Sequence, residues 1–104
     1  MPESELRGRA RKALRARAHP LRPVVHVGEG GLSESVIAAV VSALLDHELV
    51  KVRLHEPEDK KVAARTLADS TDAHLCGLVG HTVILYRPHP EKPREELAQL
   101  ARGA

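Results

Sequence analysis

Aromatic side chains are almost absent from this sequence of 104 residues, which has one tyrosine, Tyr86, and neither phenylalanine nor tryptophan. The core must therefore be built from Val, Leu, Ile and Ala side chains. Modules that read single-stranded RNA by base stacking usually present several aromatic rings. With Tyr86 predicted at the edge of the core, any nucleic acid is expected to be bound through its backbone and shape, with little sequence preference.

Cysteine is equally scarce, because Cys76 is the only one, and this excludes an internal disulfide and any Cys-x-x-Cys metal or redox pair. We interpret Cys76, on a predicted strand, as a small buried hydrophobic residue. The seven histidines never stand four residues apart on one predicted helix, so they form no metal-site motif. No Ser or Cys is matched with a His in a way that predicts a nucleophile. We therefore expect no metal, no cofactor, no small-molecule substrate and no enzymatic activity.

Long apolar runs are also missing. No stretch approaches the ~20 residues that span a bilayer, and the charged N-terminal segment is not followed by the apolar segment of a signal peptide. These features predict a single cytoplasmic domain without a membrane partner, long enough to bury a modest core.

The net charge is only +2, but it is unevenly distributed along the chain. Residues 1–23 carry seven Lys and Arg against two Glu, whereas residues 24–86 carry five basic and nine acidic side chains. Residues 87–104 carry four and three. Localised positive charge indicates a polyanionic partner, although a solvated basic helix would give the same pattern.

Hydrophobic periodicity and turn signals predict the element order α-β-α-β-α-β-β and an α+β fold, a two-layer arrangement of helices on a mixed four-stranded sheet. The predicted helices are 4–18 with Ser4 as N-cap, 34–47 with Ser33 as N-cap, and 57–70 with Pro57 in its first turn; the predicted strands are 24–27, 49–55, 74–79 and 82–86.

Strand 49–55 alternates apolar and basic residues, which predicts one covered sheet face and one basic, solvated face. Gly80 and His81 predict a type II′ turn between the last two strands. The domain is expected to comprise residues 1–88. Residues 89–104 are predicted to be a polar tail, weakly structured or with one short helix at 94–102.

Three of the seven glycines stand in "GEGG", Gly28–Gly31, between a predicted strand and a predicted helix. The segment lacks the last glycine of a dinucleotide fingerprint and the Lys-Ser/Thr of a phosphate loop. What remains is a GxxG sequence, and such a loop clamps the nucleic-acid backbone in KH-type modules. A tight strand-to-helix turn without a ligand is the other interpretation.

Three blocks, "AHPLRPVVHVGEGGLSESV", "HELVKVRL" and "GHTVILYRP", occur in this order, and together they resemble the YhbY family, the stand-alone bacterial form of the CRM RNA-binding domain. The similarity extends from about Lys12 to Pro88. It implies a fold like that of the C-terminal domain of translation initiation factor three, a mixed sheet covered by helices. It also implies association with precursor rRNA of the large ribosomal subunit and a role in its assembly.

The resemblance and the charge distribution together predict the RNA-binding residues. They are the loop residues Gly28, Glu29, Gly30 and Gly31, the helix residues Arg11, Lys12 and Arg15, and Arg22, Lys51, Arg53, His81 and Arg87. Two positions depart from the expected pattern. Glu29 puts a carboxylate into a loop expected to approach phosphate, and His81 stands where a lysine is expected and is only partly charged near neutral pH.

Two functions of different classes stay open on the sequence. In the first, the chain is a monomeric RNA-binding protein that assists assembly of the large ribosomal subunit. In the second, it is a protein-interaction module that docks on a ribosomal protein or an assembly GTPase through its basic helix.

Overall fold

A computed structural model describes residues 6–103. Four helices and four strands follow in the order α1 (Gly8–Ala18), β1 (Val25–His26), α2 (Glu34–His47), β2 (Leu49–Arg53), α3 (Lys60–Ser70), β3 (His74–Val79), β4 (Thr82–Tyr86) and α4 (Glu95–Ala101). The strands form one sheet in the spatial order β1-β2-β4-β3. β1 pairs with β2 in parallel, and both pairs involving β4 are antiparallel. The predicted α+β class with a mixed four-stranded sheet is confirmed.

Local sequence signals correctly predicted α2 and the β3–β4 hairpin. α2 has the predicted bounds, and the side chain of its N-cap Ser33 accepts a hydrogen bond from the Val36 N–H at 3.3 Å. β3 and β4 also have the predicted bounds. Gly80 between them has a φ of 60°, the left-handed value that the first position of a type II′ turn requires.

The start of α3 was predicted wrongly. The helix begins at Lys60 rather than at Pro57, because Asp59 caps it and accepts hydrogen bonds from the N–H groups of Lys61 and Val62 at 3.0 and 3.1 Å. Glu56, with a φ of 38°, turns the chain sharply before that cap. The first two strands are also shorter than predicted. β1 has only two residues, and β2 ends at Arg53.

The start of α1 also differs from the prediction, since the helix begins at Gly8 and its N-cap is Arg7 in an extended conformation. The carbonyl oxygen of Leu6 accepts a hydrogen bond from the Arg11 guanidinium instead of a helical N–H. Ser4, the predicted N-cap, lies outside the described residues.

The sheet separates two apolar clusters, so helices cover both of its faces. α2 and α3 pack on one face over a cluster that includes Val40, Leu44, Val52, Leu67 and Leu85. α1 and α4 pack on the other, over a cluster of Leu14, Ala18, Leu49, Cys76, Ile84, Tyr86 and Leu97. The apolar side chains of α1 must be buried, and this face of the sheet is where they fit.

The face of β2 predicted to be basic and solvated is therefore only half open. Its Leu49 end is buried beneath α1 and α4, whereas Arg53 at the other end is exposed. Arg53 pairs with Thr82 of β4, and Thr82 pairs with Val79 of β3. The open half of this face thus lies at the end of the sheet that also carries the β3–β4 turn.

α4 is held against α1 by Leu97, which belongs to the second apolar cluster, and by an ion pair between Arg17 and Glu96 at 3.2 Å. The segment before α4 is fastened to Glu48, a buried residue between α2 and β2. Its carboxylate accepts hydrogen bonds from the N–H groups of His89 and Arg94 at 2.7 and 3.0 Å. None of the helices in residues 6–103 combines the length and the apolar character needed to cross a bilayer.

Candidate functional site

A groove of about 760 Å³ runs between α1 and the open half of the sheet, and we call it the basic groove. Lys12 and Arg15 come from α1, and Lys51 and Arg53 come from β2. The remaining lining residues are Ala16, His19, Pro23, Val79, Thr82 and Ile84. No acidic side chain is among these described residues, so the groove concentrates four cations in a chain whose net charge is only +2.

The four cations of the groove are held to different degrees. Lys51 Nζ donates a hydrogen bond to the carbonyl oxygen of His19 at 2.9 Å, which ties β2 to the end of α1. Arg15 Nη1 donates a hydrogen bond to the carbonyl oxygen of Cys76 at 3.0 Å. Lys12 and Arg53 are exposed and carry no ion pair among the described residues, so both side chains are available to a ligand.

Gly77 sets the path of the Arg15 side chain over β3. A Cβ atom at position 77 would lie 2.3 Å from Arg15 Cδ and 2.8 Å from its Cγ, so only glycine leaves room for the arginine stem. A register irregularity lies between Leu75 and Gly77 at the same place. A strand glycine often marks such a close approach.

Gly77→Ala is expected to lower the free energy of unfolding by about 1–3 kcal/mol, because the middle of the Arg15 stem must move. Urea denaturation measures this loss. Arg15→Ala removes the clashing atoms, so the double variant Gly77→Ala/Arg15→Ala should recover most of it. Gly28→Ala is the matched control, since a Cβ there meets nothing within 4 Å. Equal losses in the single and double variants would contradict this account.

The glycine loop, Gly28–Gly31, lies at the same end of the sheet as Arg53. The N–H of Val27, just before the loop, donates to the carbonyl oxygen of Arg53 at 2.8 Å. The loop closes with a hydrogen bond from Gly31 N–H to the Gly28 carbonyl at 3.0 Å, and Gly31 has a φ of 70°. No side chain fills the loop, because Cβ atoms built at Gly28, Gly30 and Gly31 would meet nothing within 4 Å. Glu29 within it is exposed.

His81 lies in the exposed β3–β4 turn at this end of the sheet, where its carbonyl oxygen accepts a hydrogen bond from Leu54 N–H at 2.8 Å. The sequence reasoning missed His26, which is exposed and pairs with Arg53 across β1 and β2. The signal was available, because alternation within "VVHV" places His26 on the opposite face from Val25 and Val27. His19, another lining residue of the groove, was missed as well.

The structure separates three of the predicted residues from the groove. Arg11 does not line it, and its guanidinium donates to the Leu6 carbonyl. Arg22 lines a different cavity of about 350 Å³, together with Arg17 and Arg94. Arg87 follows β4 at the opposite end of the sheet from Arg53, and its side chain donates to the Thr71 carbonyl at 3.4 Å.

Two further side chains are too deeply buried to act at the surface. Tyr86 is only 2% exposed and stacks on His74 with ring centroids 6.2 Å apart, so it offers no platform for a base. Burial raises the pKa of the Cys76 thiol to about 12, which keeps it protonated and unreactive near neutral pH. Within residues 6–103, no three His, Cys, Asp or Glu side chains are grouped so that they could hold a metal ion.

Residues 6–87 match the model of the CRS1 / YhbY (CRM) domain, a range that includes every element except α4. The chain belongs to this family. The resemblance seen in the three sequence blocks is thereby confirmed, and the basic groove and the glycine loop both lie within the matched CRM domain.

This CRM domain is similar in length to two of its curated relatives. It is 34% identical over 94 residues to YqeI of Bacillus subtilis, named "Probable RNA-binding protein", covering 88% of this chain and 98% of YqeI. It is 35% identical over 96 residues to PA4753 of Pseudomonas aeruginosa, which carries the same description. The matched region covers 90% of this chain and 91% of PA4753. The solution structure of SAV1595 from Staphylococcus aureus superposes with a TM-score of 0.75 at 32% identity, over 88% and 95% of the two chains.

Proposed function

We propose that this CRM domain is a non-enzymatic RNA-binding protein that holds the sugar-phosphate backbone in its basic groove. The observation that carries the proposal is the convergence of Lys12, Arg15, Lys51 and Arg53 on one open groove without an acidic neighbour among its described lining residues. Cations so placed bind phosphates and release the counterions that surround a nucleic acid. The names of the relatives YqeI and PA4753 support RNA as the ligand.

The glycine loop extends this proposed site beyond the groove. Its Cβ positions face open space, so a sugar-phosphate chain can come close to the loop backbone. His26 and His81 lie at the same end of the sheet as the loop. Since Glu29 is exposed, its carboxylate can turn away from the phosphates into solvent.

Family membership supports a finer proposal about the RNA itself. We take it to be precursor rRNA of the large ribosomal subunit, with the chain assisting assembly as a cytoplasmic monomer. Sedimentation of a cell extract before and after complete RNA digestion checks this. Co-sedimentation with ribosomal particles should be lost on digestion, and its survival would favour docking on a ribosomal protein or a GTPase.

A salt titration with single-stranded RNA tests the groove. If the four cations neutralise about four phosphates, the logarithm of the association constant should fall against the logarithm of salt concentration with a slope near −2.8, at about 0.7 per phosphate. Unrelated RNA sequences should give similar slopes, because backbone contacts carry little sequence information. An affinity that does not change with salt would contradict the proposal.

A further inference from the structure

A second depression, the apolar cleft, borders the glycine loop and has a volume of about 300 Å³. Its lining comes from the loop, from the residues just after β2 and from the start of α3. Leu32, Leu54 and Ala63 supply apolar walls, and Val62, although hydrophobic, is 60% exposed at its mouth. Gly31 contributes backbone without a side chain.

The cleft and the basic groove lie on opposite sides of the same end of the sheet. Arg53 faces the groove, whereas Leu54, the next residue, lines the cleft. Successive residues of an extended chain point to opposite faces. The glycine loop follows β1 beside these two residues, because Val27 N–H bonds to the Arg53 carbonyl. A strand that leaves the groove across the loop therefore arrives at the cleft.

The charge of the cleft is opposite to that of the groove. Glu58 and Asp59 stand on its rim beside His55, and no lysine or arginine is among its described lining residues. One oxygen of Asp59 already accepts two backbone hydrogen bonds at the start of α3. Glu58 is exposed and has no hydrogen bond or ion pair within residues 6–103. An ionised carboxylate repels phosphate but accepts hydrogen bonds from N–H groups on the edge of a base.

We propose that the apolar cleft holds one guanine base of the RNA strand whose phosphates lie in the basic groove, an inference that rests on the proposed function. A volume of about 300 Å³ is at the lower end of ligand pockets, which suits one planar group. Guanine presents two adjacent donors, N1–H and the N2 amino group, to a single carboxylate such as that of Glu58, whereas uracil presents one N–H. The site thus adds one preferred base to an otherwise sequence-tolerant strand.

The test compares two labelled oligouridylates of about twelve nucleotides, a length typical of single-strand sites. One carries a central guanine and the other carries uracil throughout. Fluorescence anisotropy with the full chain should show about tenfold tighter binding of the guanine-containing strand, the effect of one good base contact. Glu58→Gln should abolish this preference, so that the guanine-containing strand and the oligouridylate bind the variant equally well.

Glu34→Gln is the matched control, because Glu34 is an exposed carboxylate in the first turn of α2, close to the glycine loop in sequence, and does not line the cleft. It should keep the tenfold preference. Equal binding of both strands by the unaltered chain overturns the guanine site and leaves the proposed function intact. Failure to bind either strand at low salt overturns the proposed function itself.

Discussion

Replacing Lys12 and Arg53 together by glutamate is expected to weaken binding to single-stranded RNA about a hundredfold at about 0.1 M salt. Each exposed cation contributes about 1.5 kcal/mol through a charge-assisted hydrogen bond to phosphate, so losing both costs about 3 kcal/mol. Both side chains are exposed at the groove, so the fold should tolerate the change. The salt slope should fall to about half of its original value, because two of four phosphate contacts disappear.

The matched control for this variant is Arg22→Glu/Lys92→Glu, which makes the same change in net charge away from the groove. Arg22 lines the other cavity, and Lys92 is exposed in the segment before α4. A loss of about threefold or less is expected from long-range electrostatics alone. If the control loses as much affinity as the groove variant, net charge rather than the groove accounts for binding.

The prediction from sequence succeeded where the signals are local. α2 has its predicted bounds because a Ser N-cap and a broad apolar stripe both lie within the segment itself. The β3–β4 hairpin follows in the same way from Gly80. α3 failed because Pro57 and Asp59 are both acceptable near a helix start, and the choice depends on the sharp turn at Glu56.

The sequence predicted which cationic residues belong to the basic groove better than it predicted where each residue lies in the fold. Lys12, Arg15, Lys51 and Arg53 were all predicted, but only the packing of α1 on the sheet shows that they share one groove. Arg87 was predicted from the resemblance and from its charge. The strand register that places it at the far end of the sheet, near Thr71, is a long-range property that the sequence pattern does not contain.

The sequence predicted neither the covering of the sheet face by α1 nor the apolar cleft, and the reason is the same for both. Each arises where two elements distant in sequence come together, α1 on β2 in one case and α3 beside the glycine loop in the other. Alternation along β2 correctly predicted which residues share a face. It gives no information about how much of that face a helix covers.

Glu48→Ala is expected to lower the free energy of unfolding by about 3 kcal/mol, because it leaves two N–H groups without their acceptor. Glu48 is only 1% exposed, and its carboxylate accepts from the N–H groups of His89 and Arg94. Arg94 is the N-cap of α4, so this single side chain fixes where the last helix starts. Urea denaturation measures the total loss, and amide hydrogen exchange at His89 and Arg94 should accelerate most.

Glu48→Gly is the control for backbone strain in Glu48→Ala, because Glu48 has a φ of 65°. Alanine in this left-handed region is strained by about 1 kcal/mol, whereas glycine is not. Glu48→Gly should therefore be more stable than Glu48→Ala by about that amount, although both lack the carboxylate. Glu48→Gln keeps an acceptor oxygen and should lose the least, about 1–2 kcal/mol. If alanine and glutamine variants are equally stable, the carboxylate does not fasten this segment, and the packing of Leu97 against α1 alone holds α4 in place.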